Sequence, residues 1–264
     1  MVKSFTKAGL VILSSVFLAS CTIPSSNEQN EEREVLLETK PSPDETFIPV
    51  DLTIVSIGDS LTEGVGDSTG LGGYVPLLEQ KLEEQDIIKE VEIINFGKRG
   101  NRSDQLLKRV QEDQEIRQSI EGANSVIVTI GGNDVMRVFR ANFPSLTYDD
   151  FSAARVQYEE RLSEVFSEIR SLNPEASIVL LGIYNPFFVF SADVQEMDMI
   201  VEEWNHAASD IASSWDHTSF VEVADIFKNS EDNLLHTDFF HPNDRGYSLI
   251  AERIEEGLME LMNE

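Results

Sequence analysis

Residues 52–64 read Leu-Thr-Ile-Val-Ser-Ile-Gly-Asp-Ser-Leu-Thr-Glu-Gly. The stretch from Leu52 to Ile57 is almost continuously apolar or β-branched, as expected of a strand buried on both faces. It runs into Gly58, Asp59 and Ser60, which are turn and helix-cap residues. The same alternation recurs downstream, with further strand candidates at Val91 to Phe96, Ser125 to Ile130, Ser177 to Ile183 and Phe220 to Val223. Between them, Tyr158, Leu162, the pair Val165 and Phe166, Ile169 and Leu172 recur every three or four residues, the spacing of a helix with one buried stripe. Met197, Ile200, Trp204, Ala208 and Ile211 repeat that spacing, as do Tyr247, Ile250, Ile254, Leu258 and Leu261. Five strands alternating with about five helices predict a single doubly wound α/β domain over residues 51–264, with a parallel sheet covered by helices.

Composition narrows the partners. Forty-eight acidic against 20 basic residues give a net charge of −28, which disfavours nucleic acid and the steering of polyanionic substrates. The single cysteine, Cys21, excludes an internal disulfide framework and a multi-cysteine metal site. No run after the first twenty residues approaches the ~20 apolar residues of a membrane-spanning helix.

Lys3 and Lys7 precede an apolar stretch from Ala8 to Ala19, the pattern of a secretory leader over residues 1–20. The leader ends in Leu18-Ala19-Ser20-Cys21, which resembles the bacterial lipobox. That resemblance implies diacylglycerol attachment to the Cys21 thiol, cleavage before it and an extracytoplasmic, membrane-anchored protein. Residues 21–50 are rich in Ser, Asn, Glu and Pro and read as a flexible acidic tether, with a reach on the order of 30 Å.

In open parallel sheets, ligands bind beyond the carboxyl ends of the strands. The loops there carry GDSLTEG at 58–64, GKRGNRS at 97–103, GGND at 131–134 and YNPFF at 184–188, and DFFHPNDRG follows at 238–246. Taken alone, Ser60 reads as an ordinary helix cap, and a partner base makes it a candidate nucleophile. His241 is a candidate general base, and Asp238, three residues earlier, can reach its ring. The backbone N–H groups of Ser60 and Gly100 and the side-chain amide of Asn133 are candidate oxyanion donors. Read singly, Gly100 supplies a positive φ and Asn133 closes a turn. Asp59 and Asp134 read as loop braces, and His206 and His217 as packing or surface residues. His236 with Asp238 and His241 does not complete a metal cluster, so no metal is expected.

Taken together, these blocks resemble the GDSL esterases and lipases, also called SGNH hydrolases. The resemblance covers Gly58 to Gly246 and implies a three-layer, flavodoxin-like fold. It places the nucleophile on Ser60, the second oxyanion donor on Gly100, the asparagine donor on Asn133, and the acid and base on Asp238 and His241. In the second block, Asn101-Arg102 replaces the acidic-Thr pair often seen in relatives, and Gly97 lies close enough to compete with Gly100. The implied chemistry is two-step acyl transfer without metal or organic cofactor. The expected partners are a small ester or lipid and, through Cys21, the membrane, with the chain a monomer. Pro186, Phe187, Phe188, Val189 and Phe190, with Val138, Phe139 and Phe143, form either an acyl pocket or an ordinary packing seam. The rival readings are an O-acetyl esterase of cell-wall or capsule sugars and a non-catalytic binding lipoprotein.

Overall fold

The computed structural model describes residues 49–142, 145–186, 194–228 and 230–263. Cys21, the leader, the tether up to residue 48 and the aromatics Phe143, Phe187, Phe188 and Phe190, with Val189, lie outside the described residues.

Five strands form one parallel sheet: β1 (Val50–Gly58), β2 (Ile88–Gly97), β3 (Ser125–Thr129), β4 (Ser177–Leu181) and β5 (Thr218–Val221). Their order is β2-β1-β3-β4-β5, the flavodoxin-like arrangement. Among the described residues the helices are α1 (Ser60–Glu63), α2 (Tyr74–Glu83), α3 (Ser103–Glu112), α4 (Gln114–Glu121), α5 (Gly132–Asn142), α6 (Tyr148–Leu172), α7 (Val194–Ser213), α8 (Ala224–Lys228) and α9 (Asp244–Met262).

The two-residue period of the strands divides the core into two layers. Val55, Ile57, Val126, Val128, Ile178 and Leu180 face a cluster built with α3 to α7. Leu52, Ile54, Ile127, Val179, Leu181 and Val221 face a second cluster built with α2, α8 and α9. Each fully buried apolar side chain contributes about 1.5–3 kcal/mol. Trp204 on α7 stacks on Tyr158 of α6 at 5.0 Å between ring centroids, joining the two longest helices of the first layer.

The register aligns the strand ends. Gly97, Gly58, Thr129, Leu181 and Val221 are successive partners and form one row across the sheet. This row corrects three expected boundaries: β3 stops before Ile130, β4 before Gly182 and β5 before Glu222. Beyond the row the chain leaves the ladder to form the loops that carry the site. From β1 the connections lead first to β2 on one side and later to β3 on the other, which opens a crevice over the ends of β1 and β3.

Candidate active site

Gly58 lets β1 end where it does. Its φ is +150°, and a Cβ there would stand 2.2 Å from the Thr129 carbonyl oxygen. The close approach allows Asp59 N–H to donate to that carbonyl at 3.1 Å. Asp59 then caps α1, its side chain accepting from Leu61 N–H at 3.0 Å. Ser60 opens the helix with its side chain almost wholly buried.

The Ser60 hydroxyl lies 2.9 Å from His241 Nε2, and His241 Nδ1 lies 2.6 Å from Asp238 Oδ2. A serine at one end of the domain and an acid–base pair at the other are thus in one hydrogen-bonded line. A tight turn makes the histidine end. Leu235 and Pro242 bridge as antiparallel partners, and His236 N–H donates to the His241 carbonyl at 2.8 Å. Within the turn Phe239 takes a φ of +53°, left-handed backbone that costs an L-residue about 1–2 kcal/mol. Asp238 Oδ1 accepts the N–H groups of Phe240 and His241, both at 3.0 Å. Partial burial opposes ionisation of Asp238, but the His241 ring and those two N–H groups outweigh it and hold the carboxyl below the usual range. Asp238 therefore stays charged and keeps His241 Nε2 free to accept from Ser60.

Asn133 sits in the first turn of α5, where its Nδ2 donates to the Asn101 carbonyl at 3.0 Å. Gly100, the residue before Asn101, occupies an exposed turn closed by Asn101 N–H to the Lys98 carbonyl at 3.1 Å. Its φ is +78° and a Cβ would meet nothing within 4 Å. Among the described residues neither Ser60 N–H nor Gly100 N–H has a hydrogen-bond partner. Gly97 differs: a Cβ there would stand 2.1 Å from Glu63 N, so it marks the close packing of β2 on α1. Asp134 accepts both Ser103 N–H (2.9 Å) and the Ser103 hydroxyl (2.6 Å), which fastens the start of α3 to α5. Burial pushes its carboxyl up, and burial raises Asp59 to about 7.

Ser60, Asn133 and His241 border a cleft that is partly open to solvent. Gly100 is not among its lining residues. The walls are apolar: Val135, Met136, Leu181, Ile183, Met197 and Val201 line it, with Tyr184, Pro186 and Phe240. Of the aromatic and apolar residues singled out from the sequence, Pro186 reaches the cleft, whereas Val138 and Phe139 pack into the first core layer. His206 and His217 lie exposed on α7 and on the turn before β5.

Residues 56–249 match the GDSL-like Lipase/Acylhydrolase family. The chain is 35% identical over 253 residues to the uncharacterized protein YpmR of Bacillus subtilis (strain 168), covering 95% of this chain and 93% of that protein. It is 27% identical over 207 residues to the spore germination lipase LipC of Bacillus licheniformis, covering 77% and 94%. Among solved structures, the lipase Lip_vut3 from a goat rumen metagenome superposes with a TM-score of 0.70 at 25% identity, covering 78% of this chain and 97% of that one. The acetyl-xylooligosaccharide esterase Axe2 of Geobacillus shares the fold, with a TM-score of 0.60 at 23% identity and coverage of 81% and 96%.

Proposed function

Because the chain belongs to the GDSL-like lipase/acylhydrolase family, a family of esterase- and lipase-type hydrolases, we propose that it hydrolyses carboxylic esters of short or medium acyl chains, with Ser60 as nucleophile. The observation that carries this reading is the line Ser60–His241–Asp238, with contacts of 2.9 and 2.6 Å, opening on an apolar cleft. His241 Nε2 takes the Ser60 proton as Oγ attacks the ester carbonyl, and Asp238 stabilises the imidazolium. The oxyanion is received by Ser60 N–H, the Asn133 amide and Gly100 N–H, each donor contributing on the order of 3 kcal/mol. His241 then protonates the departing alcohol, and water activated by the same ring frees the acid from Ser60.

The cleft supports the acyl-chain preference. Met136, Met197 and Val201 offer methylenes somewhere to bury, at ~0.8 kcal/mol each. Acyl glycerols and lysophospholipids meet that requirement better than an acetylated sugar. Assayed on p-nitrophenyl esters from acetyl to dodecanoyl, the protein is expected to peak between butanoyl and decanoyl. Turnover of acetyl alone supports the O-acetyl esterase instead, and no turnover of any ester by folded protein overturns the hydrolase reading.

We also propose that Cys21 carries a diacylglycerol and holds the domain at the outer face of a bacterial membrane through residues 22–50. Mass spectrometry of membrane-extracted protein should find an acylated N-terminal Cys21, and Cys21→Ala should leave the membrane fraction. An unmodified cysteine in a membrane-free product sinks this proposal.

A further inference from the structure

Five buried polar side chains lie directly behind Ser60, and the acyl-transfer scheme uses none of them. Ser56, Thr62, Tyr74 and Thr129 are wholly buried and Asp59 is 4% exposed. With the Asp59 carboxyl ionised, the single proton on each hydroxyl sets the direction of every contact. Thr129 Oγ1 donates to Asp59 Oδ1 at 3.1 Å. The 2.8 Å contact between Thr62 and Thr129 must then be donated by Thr62. Thr62 has spent its proton, so the 3.0 Å contact with Tyr74 is donated by the phenol. The remaining contact, Ser56 to Tyr74, is donated by Ser56. Four hydroxyls from β1, α2, α1 and β3 point their protons the same way, and the chain ends on one carboxylate.

That carboxylate touches both sides of the oxyanion site. Oδ1 holds Leu61 N–H at 3.0 Å, which fixes the first turn of α1 and leaves the intervening Ser60 N–H unpaired among the described residues. Oδ2 lies 3.5 Å from Asn133 Nδ2, whose shorter bond runs to the Asn101 carbonyl at 3.0 Å. Asp59 N–H is gripped in turn by the Thr129 carbonyl and hydroxyl at 3.1 and 3.2 Å. Stability alone is a poor reason for this arrangement. A buried hydrogen bond nets only about 1 kcal/mol, and burying a carboxylate costs more than that.

We infer that Asp59 is a positioning residue, aiming the Ser60 N–H and the Asn133 amide from one carboxylate that the hydroxyl chain holds in place. The inference rests on the acyl-transfer reading of Ser60. It gives the aspartate before the nucleophile a task in the transition state, carried out through other groups and without contact to substrate.

Thr129→Val keeps the shape of the side chain and removes the last proton of the chain. It is expected to lower kcat about 10- to 100-fold with KM held within about twofold, a partial loss of the donor alignment whose full removal costs about 10²- to 10³-fold. Asp59→Ala should approach that full loss, and Asp59→Asn, which can still accept from Leu61 and Thr129, should recover about tenfold. Asp59→Ala combined with Asn133→Ala should lose clearly less than the product of the single losses. A readout independent of turnover is the Asn133 side-chain amide resonance in ¹⁵N-labelled protein, assigned by its disappearance in Asn133→Ala. It should shift in Asp59→Asn and in Thr129→Val. Multiplying losses, a KM effect in place of a kcat effect, or an unmoved amide resonance would reduce Asp59 to a helix cap and overturn the inference. If the wild type turns over no ester, the acyl-transfer reading fails by itself, and the resonance alone decides whether Asp59 orients Asn133.

Discussion

Ser60→Ala is expected to lower kcat/KM on the best p-nitrophenyl ester by about 10⁴- to 10⁶-fold while the protein stays folded. The substitution removes one oxygen from a buried side chain whose polar partner is His241 Nε2 at 2.9 Å. Stability should change by no more than about 1 kcal/mol, a Tm shift of roughly 2–4 °C for a chain of this size. His241→Ala should cost as much activity as Ser60→Ala, because an undeprotonated hydroxyl is a weak nucleophile. Asp238→Asn should cost somewhat less, about 10⁴-fold, since it keeps the ring in place but removes the charge and the preferred tautomer. The decisive feature is non-additivity. Ser60→Ala with His241→Ala should be no slower than either alone, because the two act as one device. Retention of a tenth of the wild-type rate in either single variant, or losses that multiply, would show that Ser60 and His241 are neighbours without a shared task.

Much of this arrangement was legible in the sequence, and the parts that were not share a physical cause. β3 was readable because all of Ser125–Thr129 is buried, so its composition is almost uninterrupted. β2 extends back to Ile88, three residues before its expected start at Val91, because it lies at an edge of the sheet and its Lys89 and Glu90 are exposed there. The stripes of α6, α7 and α9 announced those helices, whereas α1, with four residues, and α8, with five, are too short to display a period. Ser60, His241, Asp238 and Asn133 could be named only as a set, because each alone reads as an ordinary cap or turn residue and it is their joint occurrence in successive strand-end loops that points to chemistry. The cleft wall could not. Met197 stood in a helix stripe as an ordinary core residue, and Val135, Met136 and Val201 carry the same apolar signature whether they face the interior or a substrate. Tyr74, Thr62 and Thr129 were hidden for the opposite reason: hydroxyls scattered along the chain show nothing of their alignment until the helices and strands are brought together.

Gly97→Ala tests how tightly the sheet controls the nucleophile, and its effect on stability should exceed that of Gly100→Ala. The sequence offered both glycines within one short block, and the structure separates them. At Gly97 a Cβ would stand 2.1 Å from Glu63 N and 2.4 Å from the Thr62 carbonyl carbon, both backbone atoms of the helix that begins with Ser60. No rotamer change relieves such a clash, so β2 and α1 must move apart. Overpacking of this kind costs about 3 kcal/mol or more, which lowers Tm by roughly 6–12 °C. Activity should fall further than stability requires, because displacement of α1 lengthens the 2.9 Å contact from Ser60 to His241 and catalytic geometry tolerates errors of well under about 1 Å. At Gly100 there is open space, and the cost of alanine is confined to its φ of +78°. That conformation costs an alanine about 1–2 kcal/mol. Thermal unfolding of the two variants beside the wild type, with kcat measured well below either Tm, compares them directly. A Gly97→Ala protein that melts within about 2 °C of wild type and keeps full kcat, against an expected loss of roughly 6–12 °C, would mean that α1 is not seated on β2 as described.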